Sequence, residues 1–389
     1  MDKPLPLFLT SLSLSSKTAL GVQTKLLLEQ FPLAGHLFWD ASEFRSLDER
    51  SARLESILCA RFSILRRDPR SLPAIALSTL GRSWWKGNEL KPRAQRRLAE
   101  HYGHAISTVY AAPCSIRDSE RMKSILMHLN RPFVLHLWDI QDKNQIDSPA
   151  FRWLVEHALH VLCLSEEMIR YLDPLRQGAT IMRFARKPSS YIAEAPKDQK
   201  LRIALIGNCR RYRDGLSLLV KAMHIARANK VGVTAVYVGS KKSLKGAEVD
   251  LGSEVEVTGF VESDSTRDLL LSQCHVAFLP GPLASPSLNM FSRFSIPSRI
   301  LDFMATGLPI LAAVHPNSAT ATYLAQIGLQ ASILEHSAER LAERLSALAE
   351  VSRWNLYATM SRKAFHATEH EWGELAPWLE NVPAKVAFS

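Results

Sequence analysis

Cysteine, glycine and long apolar runs are all scarce in this chain, and each scarcity removes a class of protein. The five cysteines, Cys59, Cys114, Cys163, Cys209 and Cys274, form no CxxC pair and no metal-ligand spacing, so neither a disulfide framework nor a zinc site organises the fold, and a reducing cytoplasm fits. With 17 Gly and 20 Pro in 389 residues the chain is neither collagen-like nor dominated by linkers. No segment approaches the ~20 predominantly apolar residues that span a bilayer; Ala158 to Leu164 stops at a strand's length. The apolar stretch Pro4 to Leu14 does not read as a signal peptide, because Asp2 cancels Lys3, two prolines interrupt it and no clear small-residue cleavage site follows. What remains is a chain that is 47% hydrophobic and 22% charged, which excludes general disorder and is too long for one ordinary core. Two domains are expected.

The formal charge of +10 is unevenly distributed. Residues 1–195 hold 27 Lys+Arg against 20 Asp+Glu, and the remainder 21 against 18, so the first half carries +7 of the excess. Within it, Arg82 to Arg97 (RSWWKGNELKPRAQRR) sets six cations, Arg82, Lys86, Lys91, Arg93, Arg96 and Arg97, against Glu89, with Trp84 and Trp85 among them. Aromatics beside cations suit an anionic membrane surface, where each cation contributes ~1 kcal/mol. A solvated helix face with two core tryptophans is the alternative. Nucleic acid is not expected, since there is no zinc spacing, RNP-like strand or regular basic repeat.

Short β-rich apolar runs alternate with longer stretches of helical period, the signature of parallel sheets covered by helices. In the first half the expected strands are Leu5 to Leu12, Gly35 to Trp39, Pro73 to Leu77, Ala105 to Tyr110, Pro132 to Trp138 and Leu159 to Leu164, with helices such as Ser119 to Asn130 and Glu166 to Leu172 between them. Residues Phe184 to Lys200 lose periodicity and read as a linker. The pattern then restarts with strand Leu201 to Ile206, helix Leu216 to Ala228, and strands Val233 to Val238, Glu254 to Thr258, Val276 to Leu279, Pro309 to Val314 and Ala331 to Leu334. Helical segments Ala338 to Ala349, Leu356 to Thr368 and about Glu371 to Leu379 close the chain. Two Rossmann-like domains in tandem are expected, 1–190 and 191–365, with 366–389 as a helical segment crossing back to the first.

The stretch Ser285 to Val314, SPSLNMFSRFSIPSRILDFMATGLPILAAV, carries the most chemistry. A Ser/Pro/Asn loop follows a buried strand, Pro297 can open a helix, and Gly307 and Pro309 end it. Free N–H groups at Ser298 and Arg299, the Arg299 cation and the positive helix end suit an anion, most simply a phosphate. Asp302 lies one turn further on the same face, where a carboxylate accepts from ribose hydroxyls. An ordinary strand-loop-helix turn with Asp302 solvated is the other reading.

The run PSRILDFMATGLPILA resembles the PSK-x-x-E-[YF]-[ML]-A-x-G-x-P-[VI]-[IL]-A block of GT-B glycosyltransferases, particularly the family 4-like, retaining branch. Leu201 to Ala226, Glu254 to Phe260 and Ala158 to Leu172 are similar to other segments of that family, as are LSLSSKTALGVQ (Leu12 to Gln23) and VLHLWD (Val134 to Asp139). The resemblance implies an α/β GT-B fold, two Rossmann-like domains facing each other across a cleft and closing on a nucleotide diphosphate sugar. It places Asp302 at the nucleotide ribose, and Phe294 where the family's first glutamate would contact the donor sugar. The family's basic pair that binds the diphosphate maps loosely onto GNCRRYRDG, a donor-binding loop that opens at Gly207, with Arg210, Arg211 and Arg213 as the candidates and an exposed basic loop as the alternative. His136, at a strand's carboxyl end, takes the place of a histidine that faces the donor sugar, against the alternative of a structural histidine. The loop with Ser16, Lys17 and Gly21 lies on the acceptor side.

Asp139 and Asp142 in WDIQD have the wrong spacing for a D-x-D motif, so no catalytic metal and no cofactor beyond the donor are expected. The reading is a cytoplasmic hexosyltransferase, peripheral on the inner face of the plasma membrane if 82–97 binds lipid. It takes a nucleotide diphosphate sugar as donor and a hydroxyl acceptor, such as a lipid-linked glycan, in polysaccharide or envelope assembly. A GT-B-shaped scaffold without catalysis, or a sugar-nucleotide epimerase, are its rivals. A dinucleotide-dependent oxidoreductase is the least favoured rival, because neither half has G-x-G-x-x-G after its first strand.

Overall fold

The computed structural model describes residues 5–10, 23, 35–38, 85–86, 89–92, 95, 106–140, 143–210, 212–247, 255–261, 263–283, 289–330, 336–368 and 379. The chain divides into two compact units, Met1–Arg183 with Trp372–Ser389, and Phe184–Glu371.

The first unit holds strands β1 (Leu5–Thr10) and β2 (Gly35–Phe38), a short antiparallel pair β3 (Trp85–Lys86) and β4 (Glu89–Leu90), and then β5 (Ile106–Ala112), β6 (Phe133–Leu137), β7 (His160–Cys163) and β8 (Thr180–Ile181). Except for the β3–β4 pair these form one parallel sheet in the order β2-β1-β5-β6-β7-β8. β6, FVLHL, is buried at every position because a central parallel strand is covered on both faces, which is why it reads as a continuous apolar run. Helices α1 (Ile116–Leu129), α2 (Lys143–Asp147), α3 (Pro149–His157) and α4 (Glu166–Leu172) fill the connections. Ser115, Ser148 and Ser165 each accept a first-turn N–H and fix the starts of α1, α3 and α4, with Pro149 at the first position of α3.

The second unit holds β9 (Lys200–Ile206), α5 (Arg213–Ala228), β10 (Gly232–Val238), α6 (Lys241–Ala247), β11 (Val255–Val257), α7 (Asp264–Ser272), β12 (Val276–Pro280), α8 (Met290–Phe294), α9 (Arg299–Ala305), β13 (Ile310–Ala313), α10 (Ala319–Gln326), α11 (Ala338–Leu348) and α12 (Val351–Thr368). Its sheet, ordered β11-β10-β9-β12-β13, is wholly parallel. Leu216, Leu219 and Met223 of α5 recur at helical spacing and share one core with Leu341 and Leu345 of α11 and Ile203, Leu205 and Phe278 of the strands. The Trp354 indole N–H of α12 donates to the His275 carbonyl at 2.6 Å, and Ser361 donates to the Leu308 carbonyl at 2.7 Å.

Three differences from the sequence reading have physical causes. The 82–97 segment contains the antiparallel pair of residues 85–86 and 89–90, with residues 92 and 95 helical, where a helix face was one of the readings. The linker expected over 184–200 is built into the second unit: Phe184 and Ala193 are buried, the Ala193 N–H donates to the Thr306 carbonyl at 2.9 Å, and Arg186 is nearly enclosed by carboxylates. Its Pro/Lys/Ser composition reads as a linker because ion pairs to distant residues leave no periodic trace. Helix α9 begins at Arg299, two residues later than Pro297, after a tighter turn in which the Ile300 N–H donates to the Pro297 carbonyl at 3.2 Å and Ser298 makes no side-chain cap. The expected strands at 73–77 and 331–334, and all but residue 379 of the helix expected at 371–379, lie outside the described residues. No described helix is long and apolar enough to cross a membrane.

Candidate functional site

Because the five strands of the second sheet are parallel, their carboxyl ends share one edge, the edge at which open α/β sheets bind ligands. The 207–213 loop leaves β9 there. Gly207 has φ 89°, a left-handed conformation that a side chain resists, and its carbonyl accepts from the Tyr237 hydroxyl at 2.6 Å. Ser243, buried in the first turn of α6, accepts the Cys209 N–H at 2.7 Å and donates to Asn208 Oδ1 at 2.9 Å. Asn208 Oδ1 also accepts the Arg210 N–H at 3.0 Å, so residues 207–210 are held before any ligand arrives. α5 then starts behind Tyr212 with no side-chain cap, and Gly215 lets its first turn approach the end of β12, where an added Cβ would lie 3.2 Å from Pro280. Uncapped N–H groups, together with the exposed cations Arg210 and Arg213, present positive charge to an anion.

Arg299 does not join them as expected. Its guanidinium is buried, donates from Nη1 to the Ile206 carbonyl at 2.8 Å and from Nη2 to the Pro280 carbonyl at 3.2 Å, and stacks 4.8 Å over the Tyr212 ring. Arg299 thus ties together the carboxyl ends of β9 and β12. Its side chain braces these strand ends where a phosphate contact was expected of it, while Ser298 makes no side-chain cap. Burial pushes the Tyr237 phenol up to about 12 and raises the Cys209 thiol although Arg299 opposes it, so both stay protonated at neutral pH.

Asp302 sits on α9 in an ion cluster. Its Oδ1 lies 2.9 Å from Arg186 Nε and accepts Arg267 Nη2 at 3.1 Å. Arg186 also pairs with Asp268, and Arg267 with Asp264 at 2.8 Å. Both arginine side chains are under 10% exposed, while Asp302 keeps 16%. Burial works against the Arg267 cation, yet Asp302, Asp264 and Asp268 together raise its pKa; burial raises that of Asp268 despite Arg186. Ser243, Arg186 and Arg267 have no motif signal, although the S-x-x-S spacing of Ser240 and Ser243 marks the α6 start.

In the first unit His136 is 1% exposed. Its Nδ1 accepts the Tyr110 hydroxyl at 2.6 Å and its Nε2–H donates to the Met182 carbonyl at 3.1 Å, which sets the tautomer. Burial pulls its pKa down to about 3, against the opposing carbonyl bond. The expected sugar-facing histidine is therefore a neutral core residue, because the two faces of β6 are both covered and its polar atoms are consumed inside. Phe294 is fully buried at the end of α8. Ser16, Lys17, Gly21, Arg211 and Asp142 lie outside the described residues.

Residues 200–350 match the protein family described as glycosyl transferases group 1. The matched residues all lie in the second unit. No curated protein matches the chain by sequence. Among solved structures, Anabaena HepE in complex with UDP and glucose is similar over 97% of this chain and 100% of its own, with 13% identity and a TM-score of 0.64. The α,α-trehalose 6-phosphate synthase of Burkholderia multivorans is similar over 98% and 97%, with 9% identity and a TM-score of 0.57. A glycosyltransferase of Rickettsia africae is similar over 98% and 100%, with 9% identity and a TM-score of 0.56. These likenesses are of fold: an α/β architecture with two parallel sheets, consistent with the GT-B class.

Proposed function

We propose that the chain transfers a hexose-type sugar from a nucleotide diphosphate sugar to a hydroxyl acceptor, with retention and without a catalytic metal, in polysaccharide or cell-envelope assembly. The observation that carries this reading is the braced 207–213 loop at the carboxyl edge of a sheet whose sequence matches group 1 glycosyltransferases. The diphosphate lies on that loop against Arg210, Arg211, Arg213 and the first turn of α5, and the ribose lies at Asp302. HepE crystallised with UDP and glucose supports uridine as the nucleotide. The acceptor, a lipid-linked glycan, is held by the loop with Ser16, Lys17 and Gly21, on the inner face of the membrane to which 82–97 binds.

The chemistry asks little of side-chain bases. If the acceptor approaches on the face from which the diphosphate leaves, a phosphate oxygen takes its proton. Arginines and helix N–H groups then stabilise the leaving group, and such preorganised donors contribute about 2.7 to 4 kcal/mol each.

Calorimetric titration with UDP, and release of glucose from UDP-glucose by the full chain, test the reading. Arg210→Ala and Arg213→Ala should each weaken UDP binding by about 1.5 to 3 kcal/mol, the range for a bond to a charged group. Absence of UDP binding would sink it; binding without sugar release or transfer would favour the non-catalytic reading prompted by Phe294.

A further inference from the structure

Every side-chain contact of Asp302 among the described residues is made by one oxygen, Oδ1, which faces Arg186 Nε at 2.9 Å and Arg267 Nη2 at 3.1 Å. Oδ2 makes no hydrogen bond to them. We infer that Arg186 and Arg267 are positioning residues that clamp Oδ1 and leave Oδ2 as a fixed acceptor for a ribose hydroxyl, so that they set how far the site prefers a ribose diol to a sugar lacking it. This rests on the assignment of Asp302 to the ribose.

The clamp is over-determined. Arg186 comes from the first residues of the unit, Arg267 from α7 and Asp302 from α9; Asp268 and Asp264 hold the other nitrogens of Arg186, and Asp264 shares Arg267 Nη2 with Asp302. Asp302 therefore cannot turn without breaking contacts to two elements. An acceptor locked before binding loses little rotamer freedom when the ligand arrives, and the benefit is a stronger effective bond. The charge balance points to the same ligand group. In the ion pairs given for the described residues, two guanidiniums face three carboxylates, which leaves these five groups one negative charge in excess. Such a cluster accepts from a neutral hydroxyl and repels a phosphate, which keeps the diphosphate on the basic 207–213 loop and gives the nucleotide one orientation. A buried charge pair broken on one side is severely destabilising, so the informative variants either keep the charge or remove both partners together.

The test compares UDP with 2′,3′-dideoxy-UDP by calorimetry on the full chain, with thermal melting to confirm folding. The wild type should prefer UDP by about tenfold or more, the equivalent of one bond to a charged acceptor. Arg267→Lys, and the paired change Arg186→Gln with Asp268→Asn, should bring that preference towards unity while dideoxy-UDP affinity stays within about twofold. A merely structural role would weaken both nucleotides alike. Folded variants that keep the wild-type preference, or that lose both affinities together, overturn the inference. If instead the wild type shows no preference and Asp302→Ala changes neither affinity, it is the ribose assignment that fails.

Discussion

The Tyr110 hydroxyl and His136 Nδ1 meet at 2.6 Å inside the first sheet, and the opposite ring nitrogen is held by the Met182 carbonyl. This imidazole has no room for a second proton without breaking the tyrosine bond. The folded form stays neutral down to about pH 3, whereas the unfolded chain protonates near 6.5, so the unfolded state binds the extra proton between these values. Stability is therefore complete above pH 6.5 and falls as acid is added, by roughly 1.4 kcal/mol per pH unit from this residue. His160 and His275 are lowered in the same direction, chiefly by burial. Urea unfolding at pH 7.5 and 5 should show a smaller acid loss in His136→Gln, which keeps a donor and an acceptor but does not titrate. An unchanged slope would place the acid sensitivity elsewhere.

Arg299 and the phosphates make a second case. A guanidinium that donates to the Ile206 and Pro280 carbonyls is a structural group, so Arg299→Met should cost about 2 to 3 kcal/mol of unfolding free energy, with two buried charge-assisted hydrogen bonds lost. Nucleotide affinity would fall as a consequence of a loosened loop. Denaturant titration decides: wild-type stability with lost UDP binding would restore the direct phosphate contact that the PSR run implies.

Much of the fold is legible in the sequence because its cause is local. Strands such as β9 and β12 are buried on both faces and stand out as apolar runs, and a serine cap marks the start of α4 at Glu166. Helices α7 and α10 also carry serine caps, Ser263 and Ser318, but their short amphipathic runs offer weak periodicity. The site is legible only in part. The Gly207 turn and the basic loop follow from residue types in order, whereas the direction in which Arg299 points depends on carbonyls of two distant strands. Arg186 lies far from Asp302 in sequence, and nothing local marks their pairing. Strand alternation could not assign His136 a face, because both faces of β6 are interior.

Gly207 allows a sharper test of the loop. Its φ of 89° is strained for any side chain, although an added Cβ would meet only Arg299 Nη1, at an ordinary 3.6 Å. Gly207→Ala should thus cost about 1 to 2 kcal/mol through backbone strain alone. If the loop relaxes instead, stability holds and UDP binding weakens. A variant with normal stability and normal UDP affinity would show that this turn does not shape the site.

Ser243 separates the preorganisation of the loop from its charge. Its hydroxyl holds the Cys209 N–H and Asn208 together, and Asn208 in turn holds the Arg210 N–H, yet Ser243 itself carries no charge. Ser243→Ala leaves the fully buried Cys209 without that acceptor, a loss of about 1 to 3 kcal/mol for an unsatisfied donor. The cations Arg210 and Arg213 remain in place, so the long-range attraction that draws in a diphosphate is retained. What changes is the fixed geometry on which the stabilisation of a leaving group depends. Ser243→Ala should therefore lower the rate of sugar release from UDP-glucose by a larger factor than it lowers UDP affinity, and Ser243→Thr, which keeps the hydroxyl, should recover part of both. Equal losses in rate and affinity would mean that the loop acts on ground-state binding alone.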